Sequence, residues 1–63
     1  MYVLEREIKM EIYTIKEVAE LLKMPESTVY EYARKNIIQS FRIGHHVRVR
    51  EEDLKKAIQQ AMQ

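Results

Sequence analysis

Thr14-Ile15-Lys16-Glu17-Val18-Ala19-Glu20-Leu21-Leu22-Lys23-Met24-Pro25-Glu26-Ser27-Thr28-Val29-Tyr30 is the stretch that decides the fold. It opens with the Thr-x-x-Glu spacing of a capping box. In that arrangement the Thr14 hydroxyl accepts from the amide of Glu17, and the Glu17 carboxylate accepts from the amide of Thr14. Ile15, Val18, Ala19 and Leu22 then fall at i, i+3, i+4 and i+7, one face of a helix. A first helix over about 15–22 is predicted. Met24 precedes Pro25, and the proline ring disfavours helical geometry in the residue before it. Pro25 itself suits the opening of a second helix, where a missing amide hydrogen costs little.

The second helix is expected over about 26–36. Val29 and Ala33, helped by Tyr32, face the first helix, and Ser27, Glu31, Arg34 and Lys35 lie opposite, with Thr28 and Tyr30 on the flanks. Asn36 suits a left-handed C-cap. Two short helices joined by a three-residue break form a helix-turn-helix, whose second helix is the one offered to the DNA major groove.

Beyond Ile37 the period changes. Phe41 and Ile43 alternate with Ser40 and Arg42, and Val47 and Val49 alternate with Arg48 and Arg50, about a turn near Gly44. This reads as a β-hairpin with its apolar residues packed on one face and Arg42, Arg48 and Arg50 largely outward. Glu51-Glu52-Asp53 opens a last helix, where negative charge complements the helix N-terminus. Leu54, Ala57, Ile58 and Ala61 give that helix an apolar stripe. Residues 1–12 fit either period: Ile8, Met10 and Ile12 alternate as in a strand, and Leu4, Ile8 and Ile12 would suit a helix. They are read as an N-terminal arm or strand preceding a 13–63 domain. The expected class is a small, mainly-α winged helix-turn-helix: helix-turn-helix, β-hairpin wing, C-terminal helix.

A chain of 63 residues has room for one thin core and no more. It has no cysteine, so no disulfide staples it. No apolar run approaches a membrane span and no signal-peptide pattern begins it, so a cytoplasmic location is expected. The formal net charge is only +1, but its placement is uneven. Arg34, Lys35, Arg42, Arg48 and Arg50 lie in a stretch from 32 to 50 that holds no Asp or Glu. Positive charge gathered in this way suits a phosphate-facing surface, or else forms an ordinary solvated face. No Ser is placed beside a base and an orienting group, so no enzyme is expected. His45 and His46 lack a third ligand and adjacent strand residues point apart, so neither metal nor any other cofactor is expected.

Residues 13–58 resemble the excisionase-family DNA-binding domain, a MerR-like winged helix. The resemblance rests on Tyr13 to Leu22 for the first helix and on Met24, Pro25 and Ser27-Thr28-Val29-Tyr30 for the turn and second helix. Ile43-Gly44, Arg48 and the run Arg50 to Leu54 complete it. It implies double-stranded DNA as partner, with the 26–36 helix in the major groove and the 43–48 wing on the backbone or minor groove. Such a domain would act as a recombination accessory factor or a small transcriptional regulator, nucleoid-associated. A recombinase or integrase, and a homodimer or cooperative array, are the protein partners it implies; a membrane is not.

Carried over by position, Ser27, Thr28 and Tyr30 match the family's recognition-helix contacts, Arg34 and Lys35 its basic end, and Arg48 an arginine after the wing. Arg42, Arg50, His45 and His46 join them as DNA-binding candidates on charge and position. The bland alternatives are capping for Ser27 and Thr28, helix-end neutralisation for Arg34 and Lys35, core packing for Tyr30, and a pair with the last helix for Arg50. This chain also departs from the family. Glu31 stands where arginine is common, His45-His46 replace the wing's Arg-Arg, and Lys23 and Asn36 stand where glycine is usual. Fewer cationic contacts imply weaker DNA affinity, with a wing contact that strengthens as the histidines protonate. The rival function is a protein-interaction module that docks on a recombinase or other partner.

Overall fold

The computed structural model describes residues 11–62. Its elements are β1 (Ile12–Thr14), α1 (Ile15–Leu22), α2 (Glu26–Arg34), β2 (Phe41–Ile43), β3 (His46–Arg50) and α3 (Glu51–Ala61). The chain is a small winged helix-turn-helix, three helices against a three-stranded antiparallel sheet. The strand reading of residues 1–10 lies outside the described residues.

The capping box starts α1 as its spacing requires. The Glu17 amide donates to Thr14 Oγ1 at 3.0 Å and the Thr14 amide donates to Glu17 Oε1 at 2.8 Å. Both helices of the motif then stop by the same device. After α1, Lys23 takes φ 58°, its amide reaches the Glu20 carbonyl and the Met24 amide reaches that of Ala19. After α2, Asn36 takes φ 60°, its amide reaches the Ala33 carbonyl and the Ile37 amide that of Tyr32. This pair of bonds around a left-handed residue is the Schellman motif. The second helix is thus shorter than the 26–36 expected, ending at Arg34 because the left-handed residue needs its own turn. Pro25 is the N-cap of α2, with φ −65° and ψ 149°, one position earlier than the first helical residue.

The sheet order is β1-β3-β2, with β3 central. β1 pairs Ile12, Tyr13 and Thr14 with Arg50, Val49 and Arg48, so the strand before the first helix takes in Ile12 and runs on through Tyr13 and Thr14. The hairpin corrects a second expectation. Its loop is two residues, Gly44 and His45, and it sets Ile43 opposite His46, Arg42 opposite Val47 and Phe41 opposite Arg48. Gly44 has φ 63° at the first loop position, as a type II′ turn demands, and only glycine takes that geometry freely. A shift of one residue in register exchanges the two faces of a strand. Phe41 and Ile43 therefore share a face with His46 and Arg48 instead of joining Val47 and Val49 in the core. Ile43 is 68% exposed.

The core is Ile15, Val18 and Ala19 of α1, Val29 of α2, Ile38 of the connector, Val49 of β3 and Leu54 of α3. Tyr13, Leu22, Met24, Tyr32, Val47 and Ala57 pack around it, half-buried. The stripe of α3 is used in its first half: Leu54 is buried and Ala57 half-buried, while Ile58 and Ala61 are exposed.

The largest fully buried side chains are three valines, Val18, Val29 and Val49, so each carries a sizeable share of a thin core. Stability for a chain this size is roughly 3–9 kcal/mol. Val29→Ala should lower it by about 2 kcal/mol, seen as a clear fall in the urea midpoint; an unchanged midpoint would contradict this core assignment. Lys23→Gly should act the other way. It relieves a left-handed side-chain residue and should raise stability by about 0.5–1 kcal/mol, whereas Lys23→Ala should not.

Candidate nucleic-acid interface

The burial of Val29 and Ala33 fixes which side of α2 faces water. Ser27, Tyr30 and Arg34 are exposed on that side, Tyr30 to 50%, and Thr28 and Glu31 are half-buried. Neither Ser27 nor Thr28 caps the helix. The N-cap is Pro25, no side-chain bond closes that end, and the amides of Thr28 and Val29 turn back to the Pro25 carbonyl at 3.1 and 3.3 Å. The Ser27 hydroxyl is consequently not spent on capping.

A groove runs between this face of α2 and the wing. Ser27, Tyr30, Glu31 and Arg34 line one wall, and Ser40, Phe41, Arg42 and Val47 line the other. Arg42 reaches it because the register places it beside Val47, on the side of the sheet that faces the helices. Two cations from separate elements, Arg34 and Arg42, therefore flank one groove. Sequence periodicity put Arg42 on the solvent face with Arg48 and Arg50; the shifted register separates them.

The remaining candidates are placed elsewhere. His45 and His46 are exposed at the hairpin tip. Arg48 lies on the outer face of the sheet between Thr14 and Phe41, half-buried, and its Nη1 donates to the Val47 carbonyl at 2.8 Å. Arg50 is tied into α3: its Nε donates to Asp53 Oδ2 at 2.8 Å and Nη1 lies 3.1 Å from Glu52. The bond to Asp53 holds the guanidinium above its ordinary pKa. Arg50 thereby satisfies the nearly buried Asp53 carboxylate, the pairing with the last helix that its position allowed.

Glu31 is the main surprise of the site. Its Oε1 accepts from Arg34 and its Oε2 lies 3.3 Å from Lys35 Nζ. The Arg34 bond, then the Lys35 bond, keep its carboxyl below the usual carboxylate range. One acid thus partly neutralises both cations at the end of α2. The i, i+3 and i, i+4 spacings are legible in the sequence as a helical ion-pair pattern. Ser40 and Val47 are groove residues that sequence reasoning missed, since nothing marks a connector serine or a strand valine before the groove is seen.

Among the described residues, no three His, Cys, Asp or Glu side chains gather as metal ligands would, and no helix is long and apolar enough to cross a membrane. No solved structure matches the chain. The uncharacterized protein YvgK of Bacillus subtilis (strain 168) is 50% identical over 44 residues, which make up 70% of this chain and 14% of that protein. The chain thus spans only a small part of that curated relative's length. The helix-turn-helix domain family matches residues 12–62, the segment from β1 through α3. This chain belongs to that excisionase-like family of DNA-binding helix-turn-helix domains.

Proposed function

We propose that the chain reads double-stranded DNA with α2 in the major groove and the β2–β3 wing on the adjoining backbone or minor groove. Such a domain would serve as a recombination accessory factor or a small transcriptional regulator. The observation that carries this reading is the groove flanked by Arg34 and Arg42, with the Ser27 hydroxyl and the Tyr30 phenol on its helix wall. Uncapped polar groups on a convex helix face can meet base edges, and flanking guanidiniums can meet phosphates on either side. Arg34 and Arg42 are the leading phosphate contacts in this arrangement. Arg48 is a secondary one and Arg50, occupied by Asp53, the least available. Lys35 and Thr28 are supporting contacts at the two ends of the helix.

Docking on a protein partner such as a recombinase or integrase is the second reading. It is favoured by the outer sheet face, where Ile12 and Ile43 are exposed on the two edge strands. Exposed apolar side chains suit protein contact better than phosphate contact. Selection of duplexes from a random library, at low and then moderate salt, separates the two. Enrichment of a motif supports the DNA reader, with direct repeats expected for a cooperative array and a palindrome for a dimer. A folded sample that enriches nothing favours docking.

Two variant sets test the arrangement itself. Arg34→Ala and Arg42→Ala should each weaken binding to all sequences and reduce the slope of log K against log salt by about 0.9, while Arg50→Ala leaves the slope unchanged. A larger loss from Arg50→Ala than from Arg42→Ala would contradict the groove assignment. Glu31→Gln should tighten binding several-fold and steepen the slope, because it releases Arg34 and Lys35 and removes a negative charge facing phosphate. Weaker binding in that variant would mean that Glu31 accepts from a base instead.

A further inference from the structure

The connector between α2 and β2 separates two hollows. Ser40 lines the groove, while Asn36, Ile37 and Gln39 line a second cleft whose other wall is the start of α3. That wall presents Arg50, Asp53 and Lys56. Its side chains are polar on both sides, and the cleft begins where the basic end of α2 leaves the groove. We propose that this cleft is a second contact with the DNA backbone, in which Lys56 of α3, with the carboxamides of Asn36 and Gln39, holds a phosphate beyond those met by Arg34 and Arg42. This inference rests on the DNA-binding reading and extends its footprint past the groove to the last helix.

Three features of the cleft support it. The first is position. Asn36 is two residues beyond Arg34, so their Cα atoms are at most about 7.6 Å apart. A duplex carries one charge for about every 1.7 Å of its axis, so a strand leaving the groove offers further phosphates to whatever lies next along it. The second is charge. Lys56 is exposed, and among the described residues no carboxylate pairs with it. The acid of the cleft, Asp53, accepts from Arg50 Nε at 2.8 Å and is nearly buried, so it is already compensated. The third is unspent donors. Asn36 and Gln39 are exposed, and neither carboxamide bonds another described residue. Each carries two N–H donors, and lysine, asparagine and glutamine are among the side chains that bond phosphate oxygens.

The ammonium is needed because the end of α2 is otherwise unfavourable to an anion. A helix C-terminus carries a partial negative charge, and Lys35, the cation nearest to it, is shared with Glu31. Lys56 faces that end from the opposite wall and offsets it. A lysine is a compact charge with three donors on a flexible stem, so it follows a backbone phosphate without demanding one geometry. Ile37, 54% exposed on the near wall, gives the adjoining sugar an apolar surface to lie against.

The experiment is fluorescence anisotropy with a labelled duplex of about 24 base pairs of mixed sequence, read as the slope of log K against log salt. Lys56→Gln should weaken binding by about three- to tenfold near 0.1 M salt and reduce the slope by about 0.9, while Lys56→Arg should keep both at the wild-type values. Lys55→Gln is the control. Lys55 is exposed and adjacent in sequence but lies outside the cleft, so that variant should bind as the wild type does. Lys56 is exposed, and an unchanged urea midpoint checks that each variant remains folded. A slope that Lys56→Gln leaves unchanged overturns the proposal, as does an equal loss from Lys55→Gln, which reports diffuse charge instead of a seated phosphate. If Arg34→Ala and Arg42→Ala reduce the slope and Lys56→Gln does not, the DNA reading stands and the cleft faces away from DNA, toward solvent or a protein partner. A wild-type protein that binds no duplex overturns the DNA reading and this proposal with it, so the two failures are distinguishable.

Discussion

Val49 is where the helix-turn-helix and the wing become one body. It lies in the middle strand, fully buried, and pairs with Tyr13 of β1. Beneath it are Val18 and Val29, one from each helix of the motif, and Leu54 of the last helix. A hairpin alone is marginal in water and needs a surface to pack against. Here the surface is the pair of helices whose second member lines the groove. The angle between recognition helix and wing is therefore set by a few small apolar side chains, and every statement about the groove depends on that packing.

The charges are arranged around this constraint in three ways. Arg34 and Arg42 face each other across the groove from elements held apart by the core. Arg50 is turned inward to compensate Asp53, a structural duty at the junction of β3 and α3. Arg48 bonds the carbonyl of the residue before it and stays on the outer sheet face. A cluster that is continuous in sequence is thus divided in space between the groove, the outer sheet face and the junction with α3. Glu31 tempers the positive charge at the end of α2 further, since it already pairs with Arg34 and Lys35.

Much of this was legible in the chain because the local signals are strong and agree with one another. Thr14 and Glu17 announce the start of α1, Pro25 the break, Asn36 the left-handed exit, and Glu51 the last helix. What escaped was set by pairing between distant segments. Tyr13 and Thr14 are strand residues only because β3 lies beside them, and three residues carry no period of their own. Phe41 and Ile43 read as core because they alternate correctly; the length of the Gly44-His45 loop moved them to the other face, and with them moved Arg42. Ile38, buried to 3% exposure, sits in a connector where no repeat exists to reveal it. The site followed the same pattern. Its helix wall was readable from a wheel, but its wing wall depended on a one-residue register.

Amide chemical-shift mapping of the isotopically labelled protein, titrated with duplex DNA, tests the central claim most directly. The account predicts that perturbations concentrate at Ser27, Tyr30 and Arg34 of α2 and at Ser40, Phe41 and Arg42 of the wing wall, with α1 and the far half of α3 unmoved. Shifts confined to the outer sheet face around Ile12 and Ile43, or spread over α3 while the groove stays silent, would contradict it.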